Sequence, residues 1–183
     1  VKVYDAFAGN PRPAELTLQS LPEKIEVDDN GFQNIFMPSV ERWSLLHANP
    51  SKDYQPAYYS YVDKTDYIDV PQISRSWLYG LVGELKINIY PASGIVMGFV
   101  HDEDFSVEIP NYENYKNNII YFDYAGRITK QRSGTQGGGF IIFNLPTDIY
   151  EVLVVGAKSQ KIYSRIAPVK AQDLFVFNFK LDN

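Results

Sequence analysis

The segment "HDED", residues 101 to 104, sets one imidazole beside three carboxylates, the residue types that bind cations or move protons. In an extended segment only alternate residues share a face. His101 can therefore converge with Glu103, or Asp102 with Asp104, and either pair is half of a cation site. A solvated acidic turn is the simpler reading. "VDDNGF" at 27 to 32 poses a similar choice, because Glu26, Asp28 and Asn30 alternate oxygen donors ahead of Gly31. A calcium loop of the helix-loop-helix type also needs a bidentate Glu at its twelfth position, and that position is Met37. Asn30-Gly31 is expected instead to form a tight hairpin turn, since both residues tolerate positive φ.

Aromatic chemistry concentrates in "YQPAYYSYVDKTDY" at 54 to 67. On a strand over 57 to 62, Tyr59 and Tyr61 share one face and Tyr58 takes the other. Exposed rings of this kind stack on sugar faces or anchor a protein partner, which makes Tyr58, Tyr59 and Tyr61 the candidate ligand-binding residues. The competing expectation is that one face enters the core and the other pairs across strands. "GTQGGG" at 134 to 139 lacks the Lys-Ser/Thr ending of a phosphate loop and precedes a strand, so no phosphate site is assigned to it. "KQR" at 130 to 132 is a small basic patch, expected to be solvated.

No catalytic constellation emerges. The two histidines, His47 and His101, lie far apart, and nothing pairs either with a nucleophile and an orienting carboxylate. His47 sits in an apolar run and is expected to be structural. Cys is absent, which removes disulfides, thiol nucleophiles and thiolate metal sites. A net charge of −5 gives no general basic surface for nucleic acid or anionic membrane. No apolar run approaches the roughly 20 residues that span a bilayer as a helix. The expectation is no enzyme, no cofactor and no metal. The chain begins at Val1 rather than Met, as a mature or excised fragment would, with any secretion signal upstream.

The elements that position these groups are short strands. Tyr numbers 14 among 183 residues and aromatics make up 15% of the chain, a composition suited to half-buried pleated surfaces. β-Branched and aromatic residues fill "ELTLQ", "FSVEI", "NIIYFDY", "FIIFNL", "EVLVVGA" and "LFVFNFKL", between turn clusters such as "GNPRP", "DDNG" and "DYAG". Ile73, Trp77, Leu78, Leu81 and Leu85 fall at helical intervals, and Ser74 is placed to cap a short helix. "GFQNIFMP" at 31 to 38 matches "GFIIFNLP" at 139 to 146 with identical spacing. "WSLLHA" at 43 to 48 answers "YEVLVVGA" at 150 to 157, and 59 to 70 answers 163 to 177. The match predicts two copies of one unit: all-β, with antiparallel sandwiches over 1 to 70 and 94 to 183 and a partly helical connector over 71 to 93.

"VYDAFAGNPRPAELTL", "IEVDDNGFQNIFMP" and "WSLLHA" together resemble carboxypeptidase regulatory-like domains of the transthyretin-like sandwich class. Gly9, Pro11, Ala14, Asp28 or Asp29, Gly31 and Phe32 stand where that pattern has its turn and hairpin residues. "GIVMGFVHDEDFSVEI" and "GGGFIIFNLPTDIYEVLVVGA" resemble it again, but the second copy lacks the Gly-Pro turn and carries the insertion "PNYENYKNNIIYFDYAGRITKQRSGTQ". The resemblance implies a non-enzymatic, extracytoplasmic module of a secreted, periplasmic or surface protein, a spacer or a protein-interaction domain. The alternative is a carbohydrate-binding module using the Tyr-rich segment. Partners would be protein or polysaccharide at a cell surface. The same sandwich class also hosts iron enzymes with two Tyr and two closely spaced His, a spacing missing here.

Overall fold

The computed structural model describes residues 1–19, 23–35, 43–62, 68–110, 112, 114, 116 and 118–179. The chain is mostly β, an all-β sandwich fold with one short helix among the described residues. It divides into two compact units, Val1–Asn88 and Ile89–Asn183.

Unit 1 contains β1 (Lys2–Asp5), β2 (Ala14–Leu18), β3 (Lys24–Val27), β4 (Trp43–Pro50), β5 (Ala57–Val62), β6 (Asp69–Gln72) and α1 (Arg75–Glu84). β2 pairs antiparallel with β3 and with β4, and β4 pairs antiparallel with β5. β1 runs parallel to β6. The other edge of β1 takes residues 31–33: Val3 N donates to Gly31 O at 2.7 Å, and Gln33 N to Val1 O at 3.0 Å. Alternation along β2 buries Ala14, Leu16 and Leu18 and leaves Thr17 exposed, as a half-buried strand must. Leu16, Leu46 and Tyr59 are joined in the core by Val3 and Val70 of the second sheet. Tyr59 ties the two layers, its hydroxyl donating to the Pro71 carbonyl oxygen at 2.8 Å.

The helix, within the stretch 71 to 93 expected to connect the two copies, falls in unit 1. Ser74 caps it, its Oγ accepting from Trp77 N at 3.2 Å, while Ile73, Leu78 and Leu81 are buried. Trp77 lies against Phe7, with ring centroids 4.6 Å apart, and Arg75 Nε donates to Tyr54 O at 2.9 Å.

Unit 2 contains β7 (Ser93–Val100), β8 (Phe105–Glu108), β9 (Ile119–Phe122), β10 (Gly139–Pro146), β11 (Asp148–Gly156), β12 (Ile162–Val169) and β13 (Leu174–Phe179). β7 lies between β13, which is parallel to it, and β10, which is antiparallel; β9 follows antiparallel to β10. The second sheet runs β12-β11-β8, all antiparallel. Phe105 of β8 meets Phe140 of β10 and Tyr121 of β9 at centroid distances of 6.3 and 5.9 Å, which closes the sandwich. Phe105, Phe122, Phe140, Phe175, Phe177 and Phe179 are all under 2% exposed, and full burial of each stabilises by about 1.5–3 kcal/mol. A bulge interrupts β10, where Asn144 adopts φ +59° and the register with β7 shifts between Ile142 and Leu145. Its Oδ1 accepts from Tyr90 N at 2.9 Å and from Ser93 Oγ at 3.1 Å, fixing the entry into β7.

The pairings of the two units correspond. First and last strands pair in parallel, β1 with β6 and β7 with β13. β2-β4-β5 repeats as β8-β11-β12. Residues 31–33 pair with β1 as β10 pairs with β7. Two differences correct the equivalence expected from the matching segments. Phe32 is 48% exposed where Phe140 is 0% exposed, and β3 joins β2 whereas β9 joins β10.

The turn before Phe32 also differs from a two-residue Asn-Gly hairpin. Gly31 N donates to Asp28 O at 2.9 Å and Asp28 Oδ1 accepts from Asn30 N at 3.0 Å, so the turn spans Asp28 to Gly31. Gly31 alone takes positive φ, +67°, and a Cβ there would stand 2.3 Å from Val3 O. Gly31→Ala should therefore destabilise the chain by roughly 1–3 kcal/mol. Gly80→Ala, in the helix with open space around the added carbon, should stabilise it by up to about 1 kcal/mol. Urea unfolding of the two variants checks both signs.

Candidate functional site

The insertion in unit 2 builds a groove. After β9, "DYAG" reverses the chain: Asp123 Oδ1 accepts from Ala125 N and Arg127 N, both at 2.9 Å, and Asp123 N donates to Arg127 O at 2.8 Å. Thr129 N then donates to Tyr121 O at 2.9 Å, holding the returning chain along β9. Further on, Gly134 exchanges backbone bonds with Phe105, and Gln136 N donates to Asp104 Oδ1 at 2.9 Å. Tyr112, past the end of β8, packs edge-on against Tyr150 of β11 at 5.8 Å. Between these fixed points lies a cavity of about 560 Å³, lined by Val107 and Glu108 of β8, Tyr121 of β9, and Lys116, Gln131 and Arg132 of the insertion. That volume falls in the usual range for ligand sites, about 300–1,000 Å³. "KQR" is exposed, as expected of a solvated patch, and its Gln131 and Arg132 also line the groove.

The residues singled out by sequence fall elsewhere. Tyr59 is 4% exposed and hydrogen-bonded within the core, and burial pushes its hydroxyl pKa up; it offers no face to a ligand. Tyr58, on the opposite face, is half-buried and lies against His47 with ring centroids 4.6 Å apart, as cross-strand neighbours do. The Tyr61 side chain lies outside the described residues. His47 serves packing. "HDED" works as a fastener: Glu103 Oε2 accepts from Lys158 N at 2.6 Å and Ser159 N at 2.9 Å, and the Ser159 hydroxyl first, then these backbone bonds, hold its carboxyl below the usual range. His101 Nε2 sits against Asn178 Oδ1. Among the described residues no three His, Asp or Glu side chains converge to hold a metal ion.

A second polar cluster, in unit 1, joins β1 to the loop before β5. Asp5 Oδ1 accepts from Phe7 N at 2.9 Å and Ala8 N at 2.7 Å, while Oδ2 accepts from the Tyr54 hydroxyl at 2.7 Å. Arg12 stacks over the Tyr54 ring at 5.4 Å. Burial alone would raise the Asp5 pKa, but the bonds from Ala8, Tyr54 and Phe7 and the Arg12 charge outweigh it and leave it lowered. Burial, then the Asp5 bond, raises that of Tyr54. Sequence reasoning placed Tyr54 in the Tyr-rich segment 54 to 67 without linking it to Asp5, because an acid ending a strand carries no motif.

No family model matches the chain, and no curated protein matches it. Among solved structures, the Bacillus anthracis TIE protein aligns over 97% of this chain and 33% of its own, at 12% identity and a TM-score of 0.29. The chain spans about a third of that structure's length, and a likeness this distant carries no argument.

Because its folded pKa is depressed, Asp5 contributes stability that is fully present well above the ordinary value of 3.8. That contribution is lost as pH falls through the folded pKa. Asp5→Asn should accordingly flatten the acid limb of a melting-temperature profile taken from about pH 5 down to about pH 2. Tyr59→Phe leaves the Pro71 carbonyl without its donor and should cost about 1–2 kcal/mol in urea unfolding, the response of a core residue.

Proposed function

We propose that the chain is a pair of non-catalytic, extracytoplasmic β-sandwich modules of carboxypeptidase regulatory-like, transthyretin-like type. They act as spacer or protein-interaction domains of a secreted or surface protein. The observation that carries this reading is the shared order of strand pairing in the two units, first strand parallel to last in each. It is supported by the use made of the acidic loop residues. Asp5, Asp28, Glu103, Asp104 and Asp123 all accept backbone N–H bonds, which is turn-holding work and not proton or metal chemistry. The carbohydrate-binding alternative through Tyr58, Tyr59 and Tyr61 is weakened by the burial of Tyr59.

Replacing the chain, within the protein that carries it, by two unrelated β-sandwich domains of equal length tests the reading. Retained surface display and activity would mark it as a spacer. Display retained with partner capture lost would mark it as an interaction module, and a lost chemical activity would refute both. The melting temperature should stay unmoved by calcium or by chelator, because a ligand of the native state must stabilise it.

A further inference from the structure

The second sheet of unit 2 ends at β12, an eight-residue strand that pairs on one side with β11 and is last in the order β12-β11-β8. The hairpin leading into β12 fixes which of its backbone groups face inward. Gly156 N donates to Lys161 O at 3.0 Å, and β11 and β12 stay in register from Val155 opposite Ile162 to Asp148 opposite Val169. Tyr163, Arg165 and Ala167 therefore turn their backbone groups to β11, while Ile162, Ser164, Ile166 and Pro168 turn theirs outward. Among the described residues no group accepts the N–H of Ile162, Ser164 or Ile166 from the open side. The Ser164 carbonyl takes Arg165 Nη1 at 2.9 Å and keeps a second lone pair. The same edge carries an apolar side chain into solvent, since Ile162 is 65% exposed. An open edge of this length is a template for one more strand.

The residues of β12 suit a second β12. Pro168 has no N–H to give, so an antiparallel register centred on Ser164 is the one that uses all three outward donors. It sets Ile162 opposite Ile166 of the second copy and Ser164 opposite its own counterpart, and each N–H meets an outward carbonyl. The aliphatic pairs share one face, where cross-strand neighbours stabilise a sheet. On the other face Tyr163 stands opposite Arg165 of the second copy, and a guanidinium is attracted to an aromatic ring. The two arginines are never directly opposite, which like charges in a ladder must avoid. Pro168 falls beyond the last rung, where its missing donor is not needed. We propose that two copies of the chain associate edge to edge through β12, antiparallel about a two-fold axis at Ser164, so that one sheet runs through both. The contact is isologous and closes on itself, because each copy covers the edge of the other. One strand pair buries less than the roughly 800 Å² per partner of a standard interface, so the dimer is reversible and concentration-dependent.

The test is a dilution series of the ¹⁵N-labelled chain, from millimolar to micromolar, alongside sedimentation equilibrium. As the mass falls from dimer to monomer, the amides of Ile162, Ser164 and Ile166 should shift more than those of Arg165 and Ala167, which stay bonded to β11. Ile162→Glu, at an exposed site, should weaken association by about ten-fold or more. The chain has no Cys, so single cysteines report the register. Cα atoms of an antiparallel hydrogen-bonded pair lie about 5.5 Å apart, within disulfide reach. Ser164→Cys should therefore cross-link to itself about ten-fold or more faster than Lys158→Cys, an exposed site in the preceding hairpin. Ile162→Cys should cross-link to Ile166→Cys and not to itself. A monomer at millimolar chain would overturn the proposal and leave the edge to a strand of a different protein. A dimer that ignores Ile162→Glu, or one in which Lys158→Cys reacts as fast as Ser164→Cys, would overturn it in favour of another surface.

Discussion

In each unit the first strand lies parallel to the last, and the rest of the architecture follows from that pairing. Parallel neighbours cannot be joined by a hairpin; the chain must leave the sheet, travel and return. Here the journey is made by strands and not by a helix. β2, β4 and β5 form the second layer between β1 and β6, and β8, β11 and β12 do so between β7 and β13. The crossover is itself a sheet, so closing the first pair also brings two apolar faces together. Val3, Val70, Leu16, Leu46 and Tyr59 are all buried in unit 1, and in unit 2 Phe140 meets Phe105. The entropic cost of closing so long a segment grows only slowly with its length, and the burial it permits offsets that cost.

Acidic residues stand where the chain must turn around this framework. Asp28 holds the turn into the short ladder beside β1. Asp123 holds the reversal after β9. Glu103 and Asp104 bind two different loops from one short connection. The same carboxylates that suggest cation chemistry in a bare sequence are occupied by backbone N–H groups. An acceptor of this kind removes the cost of leaving turn amides unpaired.

Strands and helix were largely legible because their signals are local. "ELTLQ", "FSVEI", "FIIFNL" and "EVLVVGA" became β2, β8, β10 and β11, and Ser74 caps the helix that the spacing of Trp77, Leu78 and Leu81 implies. Several features escaped because they depend on neighbours distant in sequence. Phe32 and Phe140 share a motif, yet only one has a facing sheet to enter. Tyr58 and Tyr59 are adjacent and chemically identical, and register alone sends one into the core. The bulge at Asn144 hides inside an apolar run, since its partners Tyr90 and Ser93 lie some fifty residues earlier. The groove was illegible for the same reason. Arg132 reads only as part of a small basic patch until the bridge at Gly134 brings the insertion back to β8.

The ladder of β7 with β13 runs in register from Leu174 opposite Ile95 to Phe179 opposite Val100. Tension that enters unit 2 at Ser93 and leaves at Phe179 acts on two parallel strands from opposite ends. It would slide them past one another instead of peeling them apart. Every rung is then loaded at once, and rupture must break the rungs together rather than in succession. A module connected in this way bears stretch far better than one whose terminal strands form a hairpin.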